Sequence, residues 1–202
     1  MRLYQMQDSG NCYKVRLAAR QLGLAIDLVD IDILKGESRT PEFLRKNPNG
    51  RTPTLELDDG RYLAESDAIL FYLAEGTPLL PEDRYARAQV LQWMFFEQYS
   101  HEPYIAVARF WYAIKPGGRE EKKDRFAEWY ERGYQALDVM DRHLSQASFF
   151  VGGRYSIADI ALNAYTHVAH EGGFNLDQYK NITAWIGRVR SVPNHVPMNW
   201  RP

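Results

Sequence analysis

The stretch 51-RTPTLELDDGRYLAES-66 decides how the first part of this chain folds. Leu55 and Leu57 alternate with polar residues, which is the period of a strand with one buried face. Asp59-Gly60 is a turn signal, and a second short strand pattern, 61-RYL-63, follows it directly. We therefore predict a β-hairpin whose two strands meet at this turn.

Pro53 stands directly before the hairpin. Proline has no N–H and is tolerated at the first residue of a strand, so one interpretation is that it simply opens an edge strand. In the other interpretation the bond from Thr52 to Pro53 is cis, which turns the backbone of Thr52 away from the ladder and toward an extended ligand. The local pattern leaves both interpretations open.

The residues before the hairpin predict a β-α-β unit. The strand pattern 1-MRLYQM-6 is followed by the helical pattern 12-CYKVRLAARQLG-23 and by a second strand pattern, 27-DLVDIDI-33. Strands joined in this way run parallel. With the hairpin at 54–63 and an apolar helix starting at Ser66, the order predicts an α/β domain with a mixed four-stranded sheet, the thioredoxin-like arrangement.

The second part of the chain has a different pattern of apolar residues. Beyond Asp83 no strand is predicted, and apolar residues recur at helical spacing through 86–112 and 121–146. We expect a thioredoxin-like domain at residues 1–77, a linker at 78–83 and an all-helical domain at 84–202.

A helix start is predicted at 155-YSIADI-160. Ser156 is a favourable N-cap, and Asp159 stands three residues later, where it can accept from the Ser156 N–H as in a capping box. We expect a structural role for this pair, and loss of the cap costs about 1 kcal/mol or somewhat more.

Composition and charge exclude several classes of function. The chain has 202 residues, 45% of them hydrophobic, with 25 basic and 26 acidic side chains, so no excess charge favours nucleic acid or an anionic membrane. The apolar run 68-AILFYLA-74 is too short to cross a bilayer, and the single cysteine, Cys12, fits a reducing compartment. His167 and His170 lack a metal-ligand partner at a recognised spacing. We expect a cytoplasmic protein with no metal, no nucleic acid and no membrane partner.

The whole chain resembles the cytosolic glutathione transferases. The motifs that carry the resemblance keep the order and spacing of that family over nearly the full length: 9-SGNCYKVR-16, 47-NPNGRTPTLELDDG-60, 65-ESDAILFYLAE-75, the helical second part and 149-FFVGGRYSIADIAL-162. The resemblance implies glutathione as co-substrate, no metal and a two-fold homodimer.

The resemblance also implies a set of glutathione-binding residues. Pro53 corresponds to the cis-proline of the family, and Thr52 pairs through its backbone with the cysteinyl part of the tripeptide. Glu65 takes the γ-glutamyl ammonium, while Ser66 and the N–H groups of its helix take the carboxylate. Ser66 or Glu65 also caps the helix, since capping and ligand binding use the same donors.

Four further polar residues lie near the glycyl end of the expected ligand. Arg51 either pairs with the glycyl carboxylate or is an exposed, solvated charge. Lys35, Glu37 and Asn49 are weaker candidates, because the segment that precedes the hairpin varies across the family.

The resemblance places the activation of the glutathione thiol at the loop 9-SGNC-12. Ser9 falls on the activating serine of serine-type enzymes of the theta and zeta kind. Asn11 is a second candidate, because in a similar bacterial branch a threonine and an asparagine two positions on face the sulfur. Cys12 near a helix start could be reactive, but we interpret it as a packing residue.

The electrophile is expected to bind against aromatic residues at the start of the helical domain, of which only some touch substrate. The candidates are His101, Tyr104 and Trp111, with Phe110, Tyr112 and Trp200 beside them. We therefore predict a glutathione transferase that conjugates small hydrophobic electrophiles in detoxification. The alternatives are a glutathione-dependent disulfide reductase or peroxidase on the same fold, and a non-enzymatic binding or regulatory protein.

Overall fold

The computed structural model describes residues 1–202, and the chain divides into two compact units. The first unit comprises Met1–Thr77 together with Pro193–Pro202, and the second comprises Pro78–Val192. The boundary after Thr77 lies at the start of the expected linker. The C-terminal tail differs from the expectation, because it belongs to the first unit and not to the helical one.

Direct contacts attach the tail, residues 193–202, to the first unit. The Tyr13 hydroxyl donates to the carbonyl of Val196 at 2.7 Å, and the Arg201 guanidinium lies 2.9 Å from Asp30. Such contacts join residues far apart in the sequence, so helical periodicity gives no signal for them.

The first unit contains a four-stranded sheet in the order β2-β1-β3-β4, which confirms the predicted mixed sheet. The central strand β1 pairs in parallel with β2 and antiparallel with β3, and the hairpin strands β3 and β4 pair antiparallel. The strand bounds are β1 Arg2–Gln5, β2 Asp27–Asp30, β3 Thr54–Glu56 and β4 Tyr62–Ala64. The second strand is shorter than predicted, because Ile33 already lies in a 3-10 turn.

The core of the first unit sits on one face of this sheet. Leu3 on β1 pairs with both Leu28 on β2 and Leu55 on β3, so one residue links three strands. Apolar residues of the helices complete the buried cluster with Leu3 and Leu55, namely Val15, Ile69 and Leu73. Each fully buried aliphatic side chain contributes roughly 1.5–3 kcal/mol of transfer free energy.

Three helices belong to the first unit: α1 Gly10–Leu22, α2 Pro41–Lys46 and α3 Ser66–Ala74. Helix α1 ends at Gly23, whose left-handed φ of 68° favours glycine. The short helix α2 was not predicted, although Thr40 accepts from the Phe43 N–H and Pro41 fills the first helical position.

The second unit is built from helices, as predicted. Their bounds are α4 Arg84–Phe96, α5 Glu102–Arg109, α6 Gly118–Glu121, α7 Phe126–Leu144, α8 Ile157–Thr166 and α9 Lys180–Arg190. A π-helical turn at Glu97–His101 joins α4 to α5. Pro103 follows this turn, and its ring excludes the ordinary hydrogen bond to the carbonyl four residues earlier.

Helix α8 lies in the interior of the second unit and begins at the predicted cap. The Ser156 N–H donates to Asp159 Oδ2 at 2.9 Å, while Asp159 Oδ1 accepts from Trp185 Nε1 at 2.9 Å and from the Phe150 N–H at 3.2 Å. Burial raises the pKa of Asp159 to about 6. One carboxylate therefore joins three segments of the helical unit.

Candidate functional site

The candidate site of the first unit lies where the N-terminal ends of α1 and α3 meet. Ser66 is the first residue of α3, and its side chain is almost completely buried. The Ser66 hydroxyl donates to Asn11 Oδ1 at 3.3 Å, so the two helix starts are in direct polar contact. Two of the residues predicted from the sequence are thereby brought together although they stand far apart in the chain.

A residue that sequence reasoning missed, Lys14, supports this contact from inside the unit. Lys14 is fully buried, and its Nζ donates to Ser66 Oγ at 3.3 Å and to Asp67 Oδ1 at 3.1 Å. A lysine is almost never fully buried unless it is paired. The signal in the sequence is weak, because Lys14 is one of three basic residues of α1, with Arg16 and Arg20.

Glu65 precedes α3 with an unusual backbone. Its φ of 65° is positive, which a residue with a side chain adopts rarely and at a cost of about 1–3 kcal/mol. The Glu65 side chain is exposed, and Asn49 Nδ2 donates to its Oε1 at 3.4 Å. A carboxylate held at the mouth of the site is available to a cationic group.

Ser9 is the N-cap of α1. Its Oγ accepts from the Cys12 N–H at 3.3 Å, and the residue is half-buried. This cap bond uses a lone pair of the hydroxyl and not its proton. The Ser9 hydroxyl can therefore cap the helix and donate to a ligand at the same time.

Cys12 is fully buried, and its Sγ accepts from the Met6 N–H at 3.4 Å. Burial raises the pKa of the Cys12 thiol above its usual range. A buried thiol with a raised pKa is a poor nucleophile, in agreement with its interpretation as a packing residue.

The loop before β3 presents the residues next to the hairpin. The Thr52–Pro53 bond is cis. The buried Asn47 holds the loop, because its Nδ2 donates to the Arg51 carbonyl at 2.8 Å and to Thr54 Oγ1 at 3.1 Å. The Arg51 side chain itself is exposed.

Two of the weaker candidates are engaged with Asp32. Lys35 Nζ lies 3.1 Å from the Asp32 carboxylate on the surface, and Glu37 Oε2 accepts from the Asp32 N–H at 2.7 Å. These contacts organise the turn that follows β2.

The aromatic candidates of the helical unit differ in burial. His101 is fully buried, with its Nε2 2.9 Å from Thr166 Oγ1, which places it in the core and not on a pocket surface. Tyr104 and Trp111 are half-buried. Trp200 belongs to the first unit, where the Arg20 guanidinium lies 6.0 Å from its ring centroid.

Two further properties describe the chain. None of its helices combines the length and the apolar content that crossing a membrane requires. No group of three or more histidine, cysteine, aspartate or glutamate side chains is arranged to hold a metal ion.

A mixed four-stranded sheet with this helix order, followed by a helical unit, defines the glutathione transferase fold. The model of the glutathione S-transferase N-terminal domain matches residues 3–81, and that of the C-terminal domain matches residues 92–193. The chain belongs to the glutathione S-transferase family.

Solved structures of bacterial proteins are similar over nearly the whole chain. A possible glutathione S-transferase from Rhodopseudomonas palustris is 52% identical, with a TM-score of 0.97 over 100% of this chain and 98% of the other. A glutathione S-transferase from Pseudomonas fluorescens is 55% identical, with a TM-score of 0.95 over 98% of each chain. A glutathione transferase from Pseudomonas putida, 27% identical with a TM-score of 0.83 over 96% of this chain and 87% of the other, holds one glutathione disulfide per subunit.

Proposed function

We propose that this protein is a glutathione transferase that joins the sulfur of glutathione to small hydrophobic electrophiles. The observation that carries the proposal is the contact between Ser66 and Asn11, because it brings the start of α3 and the start of α1 to one polar site. A tripeptide with a charged end and a reactive thiol needs both: an anion-binding helix start and a donor near the sulfur.

The binding roles follow the charges of the ligand. Glu65 takes the γ-glutamyl ammonium, and Ser66 with the first N–H groups of α3 takes the carboxylate. The backbone of Thr52 pairs with the cysteinyl residue, in the way an extended peptide adds to the edge of a sheet. The exposed Arg51 takes the glycyl carboxylate.

The chemical step requires the thiolate. A thiol with a pKa of about 8.5 is only a few per cent ionised at neutral pH, and a pKa lower by about two units corresponds to roughly 2.7 kcal/mol of stabilisation of the anion. We assign this stabilisation to the Ser9 hydroxyl, whose proton the cap bond leaves available. The thiol proton passes to solvent, the sulfur forms a bond to the electrophilic carbon, and the leaving group departs with its electron pair.

Reduction of disulfides by glutathione, or a peroxidase reaction, is the second candidate. The Pseudomonas putida relative with bound glutathione disulfide favours it. In this case a glutathione thiolate attacks a disulfide sulfur, and the other sulfur leaves as a thiolate. Cys12 would take no part, because its thiol is fully buried.

We also propose a homodimer. The aromatic side chains of Tyr85, Phe95 and Tyr99 in the helical unit are 72%, 68% and 84% exposed. Large exposed aromatic groups are typical of surfaces that a partner covers. A second copy of the chain is the partner expected for this family.

The proposal is tested by retention on immobilised glutathione, followed by assays with an aryl halide and with a mixed disulfide. Retention with turnover of the aryl halide supports conjugation, and turnover of the mixed disulfide alone supports the second candidate. An Asn11→Ala variant separates them further, since loss of activity there with a mild effect of Ser9→Ala favours the reductase. Failure of retention and of both reactions would leave a non-enzymatic binding protein.

A further inference from the structure

The buried ammonium of Lys14 has no role in the binding and chemistry described so far. Lys14 lies on α1, four residues after Gly10, the first residue of the helix, and is 0% exposed. Burial of a charge is costly, and it is tolerated where the group is paired and hydrogen-bonded. The pairing is provided by Asp67 at 3.1 Å and by the hydroxyl of Ser66 at 3.3 Å.

The chemistry of an ammonium group fixes the direction of the hydrogen bonds. Lys14 Nζ has three donors and no acceptor, so Ser66 Oγ must accept from it. The single proton of the Ser66 hydroxyl is then directed away from Lys14, toward Asn11 Oδ1 at 3.3 Å. With a neutral, apolar side chain at position 14, the hydroxyl would be free to rotate back toward Asp67.

The positive charge of Lys14 also attracts an anion at the position next to the Ser66 hydroxyl, where the ligand carboxylate is expected. Its Nζ lies one hydrogen bond behind the hydroxyl, at the positive end of α3, where the helix dipole already favours an anion. A buried charge is screened by salt much less than a surface charge. Asp67, whose Oδ1 lies 3.1 Å from Nζ, compensates part of this charge.

We propose that Lys14 is a positioning residue: by donating to Ser66 Oγ it keeps the hydroxyl proton directed away from itself, so that the α-carboxylate of the γ-glutamyl group can replace Asn11 Oδ1 as the acceptor of that proton. The inference rests on the proposed glutathione-binding function and deepens it, because it makes recognition of that one carboxylate depend on a residue that does not touch the ligand.

The test compares Lys14→Met with the wild type by calorimetry, using glutathione and an analogue whose γ-glutamyl α-carboxylate is replaced by an amide. The loss of a charge-assisted contact predicts glutathione binding weaker by roughly tenfold or more, with much less change for the amide analogue. The turnover number at saturating glutathione should change little, since Lys14 acts on binding and not on the sulfur. Lys14→Arg keeps a positive charge, so it should retain part of the preference for glutathione over the amide analogue that Lys14→Met loses.

Two further variants control for folding and for loss of a positive charge. The double variant Lys14→Met/Asp67→Asn removes both charges of the buried pair, so it leaves no unpaired buried carboxylate. The binding measurement can therefore be made on this variant if Lys14→Met alone does not fold. Lys46→Met removes a half-buried lysine of the same unit whose Nζ lies 3.0 Å from the exposed Glu42, and this variant should bind glutathione like the wild type.

The outcomes distinguish failure of the proposed glutathione-binding function from failure of the role assigned to Lys14. If the wild type fails to bind glutathione, the proposed function falls and the inference falls with it. If the wild type binds and the folded Lys14 variants discriminate between glutathione and the amide as well as the wild type does, the inference alone is overturned. A double-mutant cycle with Ser66→Ala provides the last check, because the effect of Lys14→Met should be smaller once the hydroxyl is absent, whereas a purely electrostatic role would leave the effect unchanged.

Discussion

Replacement of Ser9 separates its two roles, capping of α1 and activation of the glutathione thiol. Its Oγ accepts from the Cys12 N–H at 3.3 Å, and loss of such an N-cap to alanine costs about 1 kcal/mol of stability. Glycine at the same place costs only about a few tenths of a kcal/mol. Ser9→Ala and Ser9→Gly therefore differ in stability while both lack the hydroxyl.

Ser9→Ala and Ser9→Gly are expected to lower the conjugation rate equally, because both lack the hydroxyl. If the hydroxyl lowers the pKa of the bound thiol from about 8.5 to about 6.5, the thiolate fraction at pH 7 falls from roughly three quarters to roughly 3% when the hydroxyl is removed. The conjugation rate at neutral pH should then fall about 25-fold, with the binding of glutathione nearly intact.

The assay is a titration of the thiolate absorbance of bound glutathione, with aryl halide turnover measured on the same samples. Ser9→Thr keeps both the cap acceptor and the donor, so it serves as the matched control. Two results would refute the assignment: identical titration in the wild type and in Ser9→Ala, or Ser9→Gly activity close to that of the wild type.

Three further predictions concern binding, stability and assembly. Glu65→Ala should weaken glutathione binding by about 1.5–3 kcal/mol without unfolding the protein, because one partner of a charge-assisted bond is lost; unchanged affinity in calorimetry would place the site elsewhere. Asp159→Asn should lower the melting temperature, since the Ser156 N–H loses its acceptor. Because the pKa of Asp159 in the folded protein is raised from 3.8 to about 6, its protonated form stabilises the fold below about pH 4 and this contribution is lost as the pH rises through 6. The difference in the free energy of unfolding between the wild type and Asp159→Asn should therefore decrease as the pH rises from about 4 to about 6. A difference that does not depend on pH would contradict the argument. Phe95→Asp should shift the protein toward a monomer in light scattering at micromolar concentration, because it places a charge on the exposed aromatic face; a wild type that is itself monomeric would remove the dimer proposal.

The sequence by itself determined the type and order of most elements. Alternation at Leu55 and Leu57 with the turn at Asp59-Gly60 predicted the hairpin, and the structure has strands at Thr54–Glu56 and Tyr62–Ala64. Periodicity of about two or 3.6 residues and turn chemistry act over a few neighbouring residues, so they can be recognised without knowledge of the rest of the fold.

The polar partners in the site could be predicted only in part. The family motif identified Ser9, Asn11 and Ser66 one by one, but the contact between Asn11 and Ser66 depends on how α1 packs against α3. Lys14 illustrates the limit, because in the sequence it is one more charged residue of a helix, and only packing makes it a buried cation paired with Asp67.

Tertiary structure also decided where the C-terminal tail belongs and which aromatic residues are accessible. The tail lies with the first unit because the Tyr13 hydroxyl and Arg201 make hydrogen-bonded and ionic contacts across more than half of the chain, which no local pattern encodes. His101 stands in a stripe of aromatic residues that helical spacing cannot divide into core and surface. Its burial against Thr166 is set by the neighbouring helix α8, since the side of a helix that meets solvent depends on what packs against it.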